Sequence, residues 1–399
     1  MSRVACITVD RQLVLYDTES TAVTALTVPI PRAPARFGSP WSMLQRAQET
    51  WAWPTWSPDG QWIAAFGIEG SDTEAGPVRV VAHSVDGVRQ VELAEMNGSA
   101  PIYLQWHPSG DALTVLVQQG EELVLVLLRK DRLGSVRPLE HGVPLFANWT
   151  MGGESLLIHA GTSGNPEGRV TIRDPLGTRE DILLDRPPGS FCAPVMVGDR
   201  AVYALRGRDG WSELVHSKGD GSDRVSLLTR AGLLAVVAAP NGRPWVALSH
   251  ASRGEGTPYH GIELIDLTTG AALKISEADC LAFFFSPRGD CLVYAVVASQ
   301  ENCLQWFRVG TDGSPPVALG SFWPTRDVLF YLHFFDQYAS SHPIFSPDGR
   351  HVVFCGYPAG GGQADLSSTP RIYLKCIDTP DEPPTEVGRG SFAVFPPVC

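Results

Sequence analysis

No apolar run in this 399-residue sequence is long enough for a membrane-spanning helix. The run at residues 233–239, for example, has seven residues, whereas a spanning helix needs about 20. The N-terminal residues also lack the apolar core and small-residue cleavage site of a secretory signal. These absences predict a soluble protein of the cytoplasm.

Paired cysteines are also absent. The eight cysteines lie singly along the chain, without a CxxC pair. This spacing matches neither a dense disulfide framework nor a standard zinc site, so we expect buried free thiols. We predict no metal site and no cofactor.

Positive charge is scarce. The chain has 31 Lys and Arg against 43 Asp and Glu, which gives a net charge of -12. Affinity for nucleic acids and for anionic membranes rests on Lys and Arg, so both partners are disfavoured. The expected partner is a small molecule, a peptide or a protein.

Signatures of common catalytic and nucleotide-binding sites are missing as well. The sequence contains no G-x-S-x-G nucleophile elbow, and no G-K-S/T follows its glycine-rich run at residues 359–363. A triad hydrolase and a phosphate-cradling loop are therefore both disfavoured.

Turn-forming residues are abundant, with 40 glycines and 32 prolines. They recur in a motif that reads WSPDG at 56–60, WHPSG at 106–110, FSPRG at 285–289 and FSPDG at 345–349, with weaker copies near 149, 195 and 239. Pro fixes one turn corner, Asp bonds the backbone beyond it, and Gly accepts a positive φ, so the motif joins two antiparallel strands. Repeats 43 to 60 residues apart are typical of propeller blades.

The repeats predict an all-β fold, a single β-propeller over residues 1–399 with eight four-stranded blades. Residues 3–28 and 391–396 form one blade shared between the two ends, which closes the ring and removes exposed sheet edges. The other blades start near residues 51, 102, 145, 191, 234, 281 and 342. Seven blades are the alternative, if one degenerate repeat is misread.

The F/W-S-P-D-G pattern, which covers nearly the whole chain, resembles the TolB-like, or PD40, type of WD40-like propeller repeat. The resemblance implies a propeller fold. We expect neither the export signal and amino-terminal domain of TolB nor the hydrolase domain of prolyl-oligopeptidase-type peptidases, which carry similar blades. Because the matched motifs are structural, the resemblance assigns no functional residues.

One face of the predicted propeller carries the long connections. If strands are labelled A to D from the axis outward, the SPDG turns are A–B connections, and the long segments at 29–50 and 321–341 are D–A connections on the opposite face. A B–C loop is predicted on that same face at 67–76. Within the segment at 29–50, Ser42–Thr50 resembles a short helix capped by Ser42. Such long connectors on one face indicate function.

We therefore expect a pocket at the axial opening of this face. Its predicted lining residues are Trp41, Arg46, Trp51, Arg326, His333, Asp336, Tyr338 and His342. Alternatively, the aromatic segment 321–341 plugs the channel and packs the ring.

The sequence favours a binding or scaffold propeller over an enzyme. The alternative is a lyase, cyclase, isomerase or hydrolase of a small metabolite. In that alternative His333 or His342 is the general acid or base, because imidazole titrates near neutrality, and Asp336 orients it. Arg326 and Arg46 hold the ligand, while Trp41, Trp51 and Tyr338 shape the pocket.

Overall fold

The chain folds into antiparallel sheets with very little helix. The computed structural model describes residues 3–20, 22–28, 49–71, 74–161, 167–189, 192–206, 210–251, 258–298, 303–360 and 363–398. No helix among these residues is long and apolar enough to cross a membrane. Two short helices, α1 (Arg326–His333) and α2 (Phe335–Tyr338), interrupt the succession of strands.

The first sheet is built from both ends of the chain. It has the order β3-β2-β1-β33 and contains β1 (Arg3–Ile7), β2 (Leu13–Asp17), β3 (Val23–Ala25) and β33 (Phe392–Val394). β33 pairs antiparallel with β1, and Cys6 lies opposite Ala393.

Five four-stranded sheets with consecutive strands follow in the chain. The first contains β4 (Glu49–Trp56), β5 (Trp62–Ser71), β6 (Glu74–Ser84) and β7 (Gln90–Met96). The second contains β8 (Ser99–Trp106), β9 (Ala112–Gln119), β10 (Glu122–Arg129) and β11 (Arg137–Gly142). The third contains β12 (Leu145–Trp149), β13 (Leu156–Ala160), β14 (Arg169–Arg173), β15 (Ile182–Asp185). The fourth contains β16 (Val195–Val197), β17 (Arg200–Arg206), β18 (Trp211–Lys218) and β19 (Val225–Ala231). The fifth contains β20 (Leu234–Ala238), β21 (Trp245–Ala251), β22 (Tyr259–Asp266) and β23 (Ala272–Cys280).

The remaining strands form one seven-stranded sheet in the order β24-β25-β26-β27-β28-β31-β32. Its strands are β24 (Ala282–Phe285), β25 (Cys291–Ala298), β26 (Cys303–Gly310), β27 (Val317–Pro324), β28 (His351–Tyr357), β31 (Arg371–Cys376) and β32 (Thr385–Arg389). β27 joins its two parts through Trp323 and Pro324, which lie opposite Tyr357 and Gly356. β29 (Ala359–Gly360) and β30 (Gln363–Ala364) form a small separate hairpin.

The innermost strands follow one another around a central axis. β33 contacts β4, β4 contacts β8, and β12, β16, β20 and β24 make successive contacts. Gln105 of β8 donates a hydrogen bond to Asn148 of β12. The circuit closes where the backbone N–H of Phe395 donates to the carbonyl of Pro343, at 2.9 Å.

Many inner and middle strands are nearly continuous apolar runs, because both of their faces are covered by neighbouring sheets. Residues 112–117 of β9, for example, are all buried. The repeated turn motif holds the inner hairpins. Ser57 accepts a hydrogen bond from the N–H of Trp62 at 2.9 Å and donates one to Asp59 at 2.5 Å, while Gly60 adopts a φ of 65°.

The structure corrects three predicted boundaries. Glu49 and Thr50, assigned to the end of a short helix, belong to β4, where they pair with Glu69 and Ile68. The connector predicted to begin at residue 321 begins after Pro324, because β27 continues to that residue. The segment predicted as a loop at 67–76 is largely an extension of the β5–β6 hairpin. In each case cross-strand pairing outweighs local composition.

Candidate ligand-binding site

Helices α1 and α2 form an aromatic plug, residues 326–338, at the centre of the ring. Thr325 caps α1 by accepting a hydrogen bond from the N–H of Val328, and its hydroxyl donates to the carbonyl of Ser391 at 2.5 Å. The cap therefore ties the start of the plug to the segment that leads into β33. This fixes the helices against the first sheet.

The plug buries its rings against inner strands on opposite sides of the axis. Phe335 packs edge-on against Phe283, with 4.7 Å between ring centroids, and Tyr331 stacks on Phe284 at 5.6 Å. On the other side, the hydroxyl of Tyr338 donates to the carbonyl of Ile102 at 2.8 Å. All three plug rings are almost fully buried, so the plug fills the centre of the ring.

The two histidines predicted as acid–base residues differ in their solvent exposure. His342 is fully buried, and its Nδ1 lies 2.7 Å from the hydroxyl of Ser341. Burial lowers the pKa of His342 to about 3. His333, in contrast, is exposed at the end of α1.

Asp336 lies on another side of the plug. Its carboxylate accepts a hydrogen bond from the N–H of Ala193 at 3.3 Å, and burial raises its pKa to about 7. The charged form of Asp336 would raise the pKa values of the nearby Cys192 and Tyr259 groups, which burial already raises. Among the residues that the structure describes, no group of three or more His, Cys, Asp or Glu side chains could hold a metal ion.

A pocket of about 250 Å³ opens above the plug; we call it the axial pocket. It is lined by Ile7, Arg11, Thr50, Trp51, Ala52, Trp53, Ile68, Pro101, Asp327 and Phe392. These residues come from two B strands (β1 and β5), from the β1–β2 turn, from A strands and from the start of α1. The pocket therefore lies on the face that carries the long connectors.

An ion pair forms the polar side of the axial pocket. Arg11 Nη1 lies 2.6 Å from Asp327 Oδ2, and Nη2 lies 3.2 Å from Oδ1. This two-point contact joins the β1–β2 turn to the first turn of α1, where a carboxylate also suits the helix dipole. Both side chains keep some exposure, 42% for Arg11 and 18% for Asp327, so the pair is accessible from the pocket.

Aromatic rings form the apolar side. Trp51 is buried and packs edge-on against His83, with ring centroids 5.0 Å apart. Trp53 packs on Tyr338 at 5.0 Å and on Phe392 at 5.1 Å. Tyr338 and His342 contact each other and Trp53, so they lie directly beneath the pocket.

Backbone strain is concentrated at this pocket. Among the described residues, four other than glycine have a positive φ, and two of these, Arg11 at 60° and Trp53 at 53°, line it. Trp53 occupies an irregularity of β4 between Ala52 and Thr55. A bulky side chain rarely adopts this conformation, and such strain typically persists at functional sites.

The predicted site residues thus fall into five groups. Trp51 lines the axial pocket, while Tyr338 and His342 lie beneath it. Asp336 lies on another side of the plug, and Arg326 and His333 are exposed on α1. Trp41 and Arg46 lie outside the described residues.

Arg11, Trp53 and Asp327 were not among the predicted site residues. Arg11 lies in a short turn of the first sheet, whereas the predicted site was built mainly from the long connectors. The three tryptophans of the sequence TWAWPTW at 50–56 mark an unusual strand start. That cluster was a usable signal for the pocket.

The opposite axial opening is lined by motif residues. Trp56, Trp106 and Trp149 surround a second pocket of about 250 Å³. Trp56 Nε1 donates to the carbonyl of Val394 and Trp106 Nε1 to that of Thr55, so two of these rings tie neighbouring inner strands together. His107, which replaces the motif serine, packs on Trp149 and lies 3.0 Å from the Gly153 carbonyl, as a turn residue would.

Comparison with solved structures identifies the fold. The propeller domain of the Trilobed protease from Pyrococcus furiosus is similar with a TM-score of 0.52 and 11% identity, over 85% of this chain and 97% of that domain. This is a β-propeller fold. Oligogalacturonate lyase from Vibrio parahaemolyticus has a TM-score of 0.51 and 13% identity, over 82% and 85% of the two chains. A eukaryotic initiation factor has a TM-score of 0.53 and 10% identity, over 99% and 98%.

These likenesses establish the propeller fold and no specific function, since the similar structures include an enzyme and an initiation factor. The propeller also resembles TolB from Acinetobacter baumannii, with a TM-score of 0.43 and 14% identity over 79% of this chain. The chain spans 62% of the length of that protein. No protein-family model matches the sequence, and no curated protein matches it.

Proposed function

We propose that this protein is a binding propeller of eight blades with TolB-like repeats, and that its axial pocket receives one compact group of a ligand. The ligand is either a small metabolite or a peptide or protein partner that inserts a single side chain. The main support is that two residues with a strained backbone, Arg11 and Trp53, line the same pocket. One side of this pocket is the accessible ion pair of Arg11 with Asp327, and the other side is apolar.

The volume of the pocket supports a compact ligand. Sites for drug-sized molecules typically measure about 300–1,000 Å³, and the axial pocket measures about 250 Å³. The ion pair offers a guanidinium and a carboxylate, while Trp51 and Trp53 offer ring surface. A ligand that combines an apolar body with a charged or polar group matches this lining.

The chemistry of the plug favours binding over catalysis. His342 has no exposed surface, and its lowered pKa keeps it neutral near pH 7. The enzymatic alternative rests on Asp336, because a buried carboxyl with a pKa of about 7 is typical of acid–base sites. Asp336 does not line the axial pocket, so we favour the binding function.

Eight blades are supported by the inner segments that circle the axis. Seven are the strands β33, β4, β8, β12, β16, β20 and β24, and the eighth is the segment at 344–345, which bonds β28. A cytoplasmic location also belongs to the proposal. The seven described cysteines are free thiols, which is typical of reducing compartments.

A pocket-filling variant tests the binding function. Ala52 lines the axial pocket, so Ala52→Phe should fill it and weaken every ligand of the pocket at least about tenfold, which corresponds to about 1.4 kcal/mol. Compounds from a thermal-shift screen of amino acids, dipeptides and small carboxylic acids are titrated against wild type and variant by calorimetry.

Val88→Phe is the matched control, because it adds an aromatic ring at a position that is 80% exposed in a remote turn. Selective loss of binding in Ala52→Phe supports the proposal. Equal affinity in wild type, variant and control would show that the ligands bind elsewhere.

A further inference from the structure

A second cavity, on the outer rim of the ring, is lined by basic side chains. This rim cavity measures about 310 Å³ and is lined by Leu127, Arg129, Arg132, Ser135, Arg137 and Leu176. It lies between the β10–β11 hairpin of one sheet and the β14–β15 turn of the next. It is remote from the axial pocket and on the opposite face.

Strand geometry explains why the arginines converge. Leu127 and Arg137 are direct cross-strand partners in β10 and β11, and Arg129 follows Leu127 by two residues. Side chains two apart on a strand, and those opposite each other across strands, share one sheet face. Arg132 reaches the same cleft from the hairpin turn, and Leu176 closes it from the neighbouring sheet.

Two of the three guanidinium groups form no ion pair with the part of the chain that the structure describes. Arg129 is neutralised by Asp131, which accepts two hydrogen bonds from it at 2.8 Å. Arg132 and Arg137 have no carboxylate within ion-pair distance among the residues that the structure describes. The rim cavity therefore carries a net positive charge in a protein whose overall charge is -12.

The β14–β15 turn also leaves space for Arg137. Gly177 has a φ of 68°, and a Cβ atom at this residue would lie 2.8 Å from Arg137 Nη2. The guanidinium thus packs against a position where any side chain would displace it.

We propose that the rim cavity binds a phosphate group. Guanidinium groups match a phosphate with parallel hydrogen bonds and keep their charge at all physiological pH values. The Ser135 hydroxyl adds a donor, and Leu127 and Leu176 offer apolar surface to the organic part of a phosphate ester. The cavity is larger than a phosphate ion needs, so an ester of a small molecule fits it best.

Glycerol 2-phosphate is the probe that tests this site. Its affinity is measured by ³¹P NMR at constant low ionic strength, because salt screens such contacts. The double variant Arg132→Gln/Arg137→Gln should bind at least about tenfold more weakly, since it loses two charge-assisted contacts. Asp131→Asn should bind more tightly, because it frees Arg129.

Arg288→Gln is the control, since it removes an exposed arginine from a turn elsewhere on the same face, and melting curves verify that all variants fold. Absent saturation in wild type, or equal affinity in all four proteins, would overturn the proposal. Inorganic phosphate is titrated in parallel: equal affinity identifies the free ion as the ligand, and tighter binding of glycerol 2-phosphate identifies the ester.

Discussion

Burial of Asp336 inside the plug raises its pKa to about 7, from an ordinary value of 3.8. Between these two values the folded chain keeps the proton while the unfolded chain releases it. Raising the pH from 4 to 7 therefore lowers the free energy of unfolding, by up to about 4 kcal/mol. Buried His342, His83 and His159 act oppositely, because their lowered pKa values favour unfolding as the pH falls.

Asp336→Asn isolates the contribution of this carboxyl, because the amide resembles the protonated acid and does not titrate. We expect the variant to gain stability relative to wild type as the pH rises from 4.5 to 7.5. Urea unfolding at a series of pH values measures the difference. Asp199→Asn, at an exposed turn, should show no such gain. Parallel pH profiles for wild type and Asp336→Asn would contradict the assigned protonation.

Arg11 combines backbone strain with a contact in the axial pocket. Arg11→Gly relieves a positive φ that costs about 1 kcal/mol or more and removes an ion pair worth about 1 kcal/mol or less at its exposure. The melting temperature should therefore stay within a few degrees of wild type, while ligand binding in the pocket weakens. A loss of several kcal/mol in unfolding free energy would instead make Arg11 a structural residue.

Among the structural elements, the aromatic plug stabilises the propeller through aromatic side chains that pack against the inner strands. Phe335 is fully buried among Tyr259, Phe283 and Phe284. Phe335→Ala should lower the free energy of unfolding by about 3–5 kcal/mol, because the cavity cannot collapse between rigid strands. Phe330→Ala is the matched control in the other helix of the plug, α1, at a residue that is 40% exposed. Similar losses in both variants, by urea unfolding, would show that the plug is not a core element.

The strands could be predicted from the sequence because the turn motif marks the hairpin between the two inner strands of a blade. The helices of the plug were less evident, although Val328, Tyr331, Leu332 and Phe335 recur at helical spacing. Aromatic residues favour strands as well, so local composition left the choice open. Only the surrounding inner strands, which offer a cylindrical space to fill, select a helix here.

The axial pocket could be predicted only in part, for a related reason. Placing the long connectors on one face follows from blade topology. The contact between Arg11 and Asp327 joins residues 316 positions apart, and such a pairing leaves no local trace in the sequence. Positive φ values at Trp53 and Arg11 are likewise properties of the folded chain.

At the scale of the whole molecule, β33 closes the ring by pairing with β1. Phe392, Val394 and Phe395 are all buried there. Truncation after Gly390 removes these buried side chains and exposes the edge of β1. It should therefore lower the melting temperature by at least about 5 °C. Truncation after Phe395, which keeps β33, is the control. Equal melting temperatures for both truncations would show that the ring does not depend on this closure.

The most direct test of the binding proposal asks which face of the propeller a ligand contacts. The protein is labelled with 5-fluorotryptophan at its eleven tryptophans, and single Trp→Phe variants assign the ¹⁹F resonances. A ligand from the thermal-shift screen is then titrated. We expect the resonances of Trp51 and Trp53 to shift, while those of Trp56, Trp106 and Trp149 stay unchanged. Shifts confined to those three residues would place binding at the opposite opening and contradict the proposal.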